Sequence, residues 1–378
     1  MSRFERRIAF ISAITLLFST LEFLIPKPLP FLRLGLANLP LLIIIQSIDL
    51  RSFFVILVMK ALGQGMVSGT LFSYLILVSL AGTLSSGLAM YGLARLLKER
   101  VSLVGISLVG AFVSNLSQIA VAALLVYGRA IWIAAPVMLS LGLATSLVLG
   151  FLAQRYKTHS SFAQRLTQDE VELGLPSLYE SRHYPVASVT ALLSIAAIIV
   201  VRDLWPLVAT VLLMYAMQLA CRRRVRITPA LMLLLSLVLL SFLEPNGRVL
   251  LVLGKFALTE GALEVALIKG LRLIALLSAS QALVGTNPPL RGRAGRLVVL
   301  TLAYFSALLT SFKERTGSLV ERIDQALQAA AGESGGPLSS PQETKTIHSS
   351  LVVAIGLGVI AISVFSRLDV LYKTPLFA

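Results

Sequence analysis

The sequence predicts an all-α integral membrane protein, and three observations carry that reading. Apolar residues fill 57% of the 378 positions and charged residues only 13%, against about 45–50% and about 25% in soluble globular chains. The apolar residues arrive in runs of roughly 17 to 25, the length that crosses a hydrocarbon core of ~30 Å. The runs do not alternate with polar residues, which argues against a β-barrel.

Six helices are predicted first, at about 8–25, 35–48, 52–66, 71–95, 103–127 and 131–153. The first has basic residues in front but no small-residue cleavage site, and it ends in "PKPLP". It therefore reads as a retained span rather than a leader. With a cytoplasmic amino terminus, the inner loops carry Arg3, Arg6, Arg7, Arg51, Arg95, Lys98, Arg100, Arg155 and Lys157, and the outer loops only Lys27, Arg33 and Arg129. That asymmetry sets the expected orientation in a cytoplasmic membrane. It also absorbs the net charge of +15, so nucleic acid is not an expected partner.

The polar stretch from Gln154 to Tyr184 divides the chain into units at 1–155 and 185–378, with a cytoplasmic linker at 156–184. Beyond it lie apolar runs near 185–201, 204–220, 228–243 and 262–286, giving a unit of about five spans with a last one at 349–366. "CRRRVR" and "NPPLRGRAGR" mark inner loops, the latter closing a helix with paired prolines. The segment at 249–258 reads as a short re-entrant piece. In "KERTGSLVERIDQALQAAAG", Leu319, Ile323, Leu327 and Ala330 share one face, the pattern of an amphipathic helix at the cytoplasmic surface. A coupling region at about 287–331 is followed by a flexible Gly/Ser/Pro linker at 332–348.

Several chemistries have no support in the sequence. One cysteine, Cys221, excludes an internal disulfide, and three histidines in polar loops give no metal-ligand spacing, so no metal is expected. No GxxxxGK[ST] loop, nucleophile elbow, HExxH or paired-aspartate motif occurs, so the chain is not expected to be an enzyme or to bind a cofactor itself.

A charge inside a span costs ~2.5–3.5 kcal/mol and persists where something uses it. Lys60, in the middle of "FFVILVMKALGQGMVSGT", is the clearest case. Arg33 and Asn38 in "RLGLANLP", with Gly35 between them, stand at the mouth of the second helix. Gly69 and Thr70 close the lysine helix, and Asn115 and Gln118 share a face of the fifth. Each alone reads more readily as helix-packing glue, but together they outline a concave site for a small anionic or amphiphilic solute. Glu22 is the expected structural partner of Lys60.

Three motifs in order, "LEFLIPKPLPFLRLGLANLP", "SGTLFSYLILVSLAGTLSSGLAM" and "GAFVSNLSQIAVAALL", resemble the heptaprenyl diphosphate synthase component I family, also called the Gx transporter family. That resemblance implies the substrate-capture (S) component of an energy-coupling factor importer. Lys60 stands where such proteins often carry arginine. "NGRVLLVLGKFALTEGALEVALIKGLRLIALLSASQALVGTNPP" is similar to the transmembrane coupling (T) component of the same importers. Together the two imply an ABC-type importer subunit that fuses six capture helices to a coupling unit, with two ATPase subunits in other chains using the ATP. In this resemblance the capture unit topples in the membrane to deliver its ligand. The Ala-Arg-small motif of the coupling family is absent after "ERI", which leaves Arg291, Arg293 and Arg322 as the expected ATPase contacts. The alternative expectation, from the older family name, is a membrane accessory subunit of a prenyl diphosphate synthase.

Overall fold

The computed structural model describes residues 2–24, 35–168, 183–223, 225, 227–242, 246–253, 256–290, 292–316, 319–330 and 347–373. Arg33, Arg291, residues 169–182 of the first linker and 332–346 of the second lie outside these residues. Among the described residues, six helices are long and apolar enough to cross a membrane: Leu50–Ser68, Tyr74–Leu97, Leu103–Ile133, Ala135–His159, Gly292–Glu314 and Ser349–Arg367. The chain is a multi-pass, helical membrane protein.

The first unit contains α1 (Arg3–Leu24), a 3-10 turn at Leu36–Asn38, α2 (Leu39–Ile44), α3 (Leu50–Ser68), α4 (Tyr74–Leu97), α5 (Leu103–Ala122) and α6 (Ala135–His159). Local chemistry sets the ends. Asp49 caps α3 by accepting from the Ser52 amide (3.0 Å) and hydroxyl (2.6 Å), and these bonds hold its carboxyl below the usual value of 3.8. Ser102 caps α5 through the Gly105 amide. Gly69 closes α3 at φ +72°, a conformation that disfavours a side chain. The second helix is shorter than its apolar run because it begins only after the 3-10 turn and ends before Ser47. After α5 the chain continues through a π-turn at Ala123–Tyr127 and a 3-10 segment at Gly128–Ile133.

The predicted linker is partly structure. After α6, α7 (Ser161–Gln168) inserts Phe162, Ala163 and Leu166 into the core of the first unit. The apolar spacing of these residues lets one face of α7 cover the ends of α1 and α6.

The second unit contains α8 (Pro185–Val200), α9 (Leu204–Ala220), α10 (Ile227–Ser241), a hairpin of β1 (Val249–Leu253) and β2 (Phe256–Thr259), α11 (Glu260–Gly285) and α14 (Ser349–Lys373). The hairpin, antiparallel from Val249↔Thr259 to Leu253↔Phe256, stands where a re-entrant piece was expected. It is the one strand pair among the described residues. Cys221, just past α9, is buried, and burial pushes its thiol up to about 12.

Between α11 and α14 lie α12 (Gly292–Glu314) and α13 (Leu319–Ala330). Both belong by sequence to the second unit and pack on the first. Tyr304 of α12 meets Phe10 of α1 edge-on at 5.5 Å, and Leu300, Phe305, Leu308 and Phe312 join the same core. Of the predicted face of α13, Ile323 and Leu327 are buried in that core beside Ala326, and the side chains of Leu319 and Ala330 lie outside those described. Tyr156 of α6 donates to Asp324 at 2.9 Å.

The two units cross. The α3–α4 and α5–α6 connections lie at the same end of the first unit, because α3 to α6 alternate in direction. The Phe72 amide in the first connection donates to Ser280 of α11 at 2.9 Å. The second connection, through Val126, Tyr127 and Ala130, faces Gly261, Ala262, Val265 and Lys269 of α11 across a shared cavity. Gly261 and Ser280 are ~30 Å apart along a helix rising 1.5 Å per residue. One end of the first unit therefore lies along the flank of α11, with α3 to α6 running across it.

Candidate functional site

The first unit encloses a polar cavity of about 40 Å³. Its walls come from every long helix of the unit and are built from stripes at helical spacing. Ser19 and Glu22 come from α1, Lys60 and Gln64 from α3, and Thr83 and Ser86 from α4. Ser107, Ala111, Ser114 and Asn115 come from α5, and Gly142, Ser146 and Leu149 from α6. Gly35, Ala37 and Asn38 close it from the 3-10 turn. The turn needs glycine at position 35, where φ is +88°.

Lys60 is 3% exposed and Glu22 5% exposed. The Lys60 ammonium donates to the Asn38 side-chain carbonyl at 2.5 Å, a bond that ties α3 to the turn and aims the charge into the cavity. Asn115 donates to the Met138 carbonyl at 3.2 Å, and the Ser107 hydroxyl donates to the Ser146 carbonyl at 2.9 Å. Gly142 makes room for the Asn115 amide, which a Cβ at that position would overlap. The Gln64 carbonyl oxygen is buried with no hydrogen-bond partner. An orphan acceptor of this kind costs ~1–3 kcal/mol, so a ligand or water that donates to it is strongly favoured.

Of the predicted site residues, the structure brings Gly35, Asn38, Lys60, Asn115 and Glu22 to one cavity. Arg33 lies outside the described residues. Gly69, Thr70 and Gln118 are not in the cavity wall. Thr70 shares a hydrogen bond with Ser68 at 2.8 Å, and Gly69 lies against Gln281 of α11. Both sit in the connection that meets the second unit, because α3 runs more than a turn beyond Gln64. Gln118 bonds Ser114 at 2.8 Å and packs against Gly82 of α4. It faces the α4 contact rather than the void.

Sequence reading missed Ser19, Gln64, Thr83, Ser86, Ser107, Ser114, Gly142 and Ser146. The signal was present. Ser12, Thr15, Ser19 and Glu22 recur every three or four residues, as do Ser107, Ala111, Ser114 and Gln118. Such stripes of small polar residues also pack helices together, so only the enclosed void identifies them as walls.

The predicted coupling arginines fare differently. Arg293 is exposed in the first turn of α12. Arg322 donates to the Phe312 carbonyl at 2.8 Å and stacks over the Phe312 ring at 4.3 Å, so its guanidinium fastens α13 to α12. Arg291 lies outside the described residues. Among the described residues no His, Cys, Asp and Glu group could hold a metal ion.

Residues 11–156 match the family model described as heptaprenyl diphosphate synthase component I. The match spans the helices that wall the cavity and ends near the carboxyl terminus of α6. No curated protein and no solved structure matches the chain.

Proposed function

We propose that this chain is the membrane subunit of an energy-coupling factor type importer, with capture and coupling units on one polypeptide. The first unit takes up a small solute in the cavity around Lys60. The second unit, with α12 and α13, transmits work from two ATP-binding cassette subunits supplied by other chains, which use the ATP. The chain itself acts as a transporter subunit, in the cytoplasmic membrane with its amino terminus inside.

One observation carries the reading. A buried polar cavity with a lysine sits inside a unit that lies across a second bundle and is clasped by helices drawn from that bundle's part of the sequence. A capture unit reoriented in the membrane relative to its coupling partner has this geometry. The cavity chemistry refines the solute. Among the described residues its walls hold no aromatic ring, and Leu149 is the one large apolar side chain. Room for about three waters, at ~10–15 Å³ each, suits the resting state of a site for a compact polar anion. The exposed Arg293, with its neighbour Arg291, is retained as an ATPase contact. Arg322 contributes by holding α13 in place.

The second reading, an accessory subunit of a prenyl diphosphate synthase, is favoured by the description of the family matched at residues 11–156. Affinity purification of the full chain from detergent-solubilised native membranes separates the two. Recovery of ATP-binding cassette subunits supports the importer, whereas recovery of a soluble prenyl synthase without them overturns it.

A further inference from the structure

A second cavity, of about 150 Å³, lies between the two units. Its buried apolar floor, formed by Val126 and Ala130 of the first unit and Leu237, Ala262 and Ala266 of the second, is flanked by Tyr127, Ser241 and Asn246. Its rim is exposed and carries Lys269. Lys269 has no hydrogen-bond or ion-pair partner among the described residues. Glu264, five residues earlier, points about 140° away around the helix at 3.6 residues per turn. An apolar floor beneath a cationic rim fits a molecule with a hydrocarbon part and an acidic head.

The surroundings indicate where that molecule comes from. Leu231, Leu235 and Leu239 on the outer face of α10 are 58%, 59% and 58% exposed, and Val265 at the rim is 47% exposed. In a membrane protein such faces meet lipid, and Val265 lines the cavity. We propose that the inter-unit cavity binds an anionic phospholipid, with an acyl segment on the floor and the phosphate on Lys269. Because its walls come from both units, the lipid would be bound only while they are docked. The inference is independent of what the first unit carries.

The test uses the full chain in nanodiscs of phosphatidylglycerol or phosphatidylcholine, followed by native mass spectrometry after mild delipidation. The wild-type chain should retain one phosphatidylglycerol and no phosphatidylcholine. Lys269→Gln, at an exposed position, should lower that retention about five-fold, the worth of one lysine beside an anionic headgroup. Val265→Phe, which crowds the rim without entering the floor, should lower it as well. Equal retention by wild type and Lys269→Gln, or equal retention of the two lipids, would overturn the proposal.

Discussion

The two units use the same residue types in opposite ways. In the second unit, buried hydroxyls and amides pair across helices near one end of the bundle. Ser188 shares a hydrogen bond with Thr286 at 2.7 Å, and Gln218 donates to Gln281. In the first unit, hydroxyls and amides from five long helices surround a void, with a lysine in its wall. Paired polar groups lock helices together, and polar groups gathered round a space leave hydrogen-bonding capacity for something else. This difference supports the proposal that the first unit binds the solute and that the second is its framework.

Substitutions at glycine sharpen the comparison. Gly142→Ala should have the largest effect, because its Cβ would overlap the Asn115 amide and displace it from the Met138 carbonyl. Leaving that buried group unpaired should cost about 1–3 kcal/mol, read as a fall in thermal stability in detergent. Gly92→Ala, on the same unit but with nothing within 4 Å of its Cβ, should instead be neutral or stabilising by up to about 1 kcal/mol. Equal losses from both would mean that the amide does not depend on its glycine.

Gln64 separates function from stability. Gln64→Met removes a buried acceptor that nothing satisfies, so the empty protein should be unchanged or stabilised by about 1 kcal/mol while solute uptake falls. A marked loss of thermal stability would show that Gln64 is structural and would erase the contrast with the second unit.

The smallest effect concerns the cap of the lysine helix. Asp49→Ala should cost about 0.5–1 kcal/mol, the low end for caps because the site faces solvent. The folded-state pKa of Asp49 is lowered, so its contribution is present above the unfolded value near 3.8 and is lost as pH falls through the lower folded value. Thermal melts of wild type and Asp49→Ala should differ at pH 7 and converge below pH 3.8. A constant gap down to low pH would assign the cost to packing instead.

Much of this was legible in the sequence. Run length and loop charge located the helices, and Lys60 announced itself as a charge in mid-span. Asn38, Asn115 and Glu22 followed from it because the few polar groups in an apolar unit tend to find one another. The serine walls were not legible, since a small residue every three or four positions describes a packing face as well as a pocket. Nor was the role of α12. Its residues read as part of a coupling region at about 287–331, and only its contact with Phe10 and the burial of α13 beside it show that it packs along α1. The crossing of the units was equally hidden, because hydropathy reports how long a segment is and not which way it lies.

The crossing is the central claim, and disulfide crosslinking in native membranes tests it most directly. The only cysteine, Cys221, is buried with its thiol pushed up to about 12, so introduced pairs report with little background. If every helix stood upright in the order of the loop charges, Phe72 would lie at one membrane face, beside Gly261. Ser280 would then be ~30 Å away along α11. The structure instead places the Phe72 amide 2.9 Å from the Ser280 hydroxyl. The account predicts that Phe72→Cys with Ser280→Cys crosslinks efficiently and that Phe72→Cys with Gly261→Cys does not. The reverse pattern would contradict it.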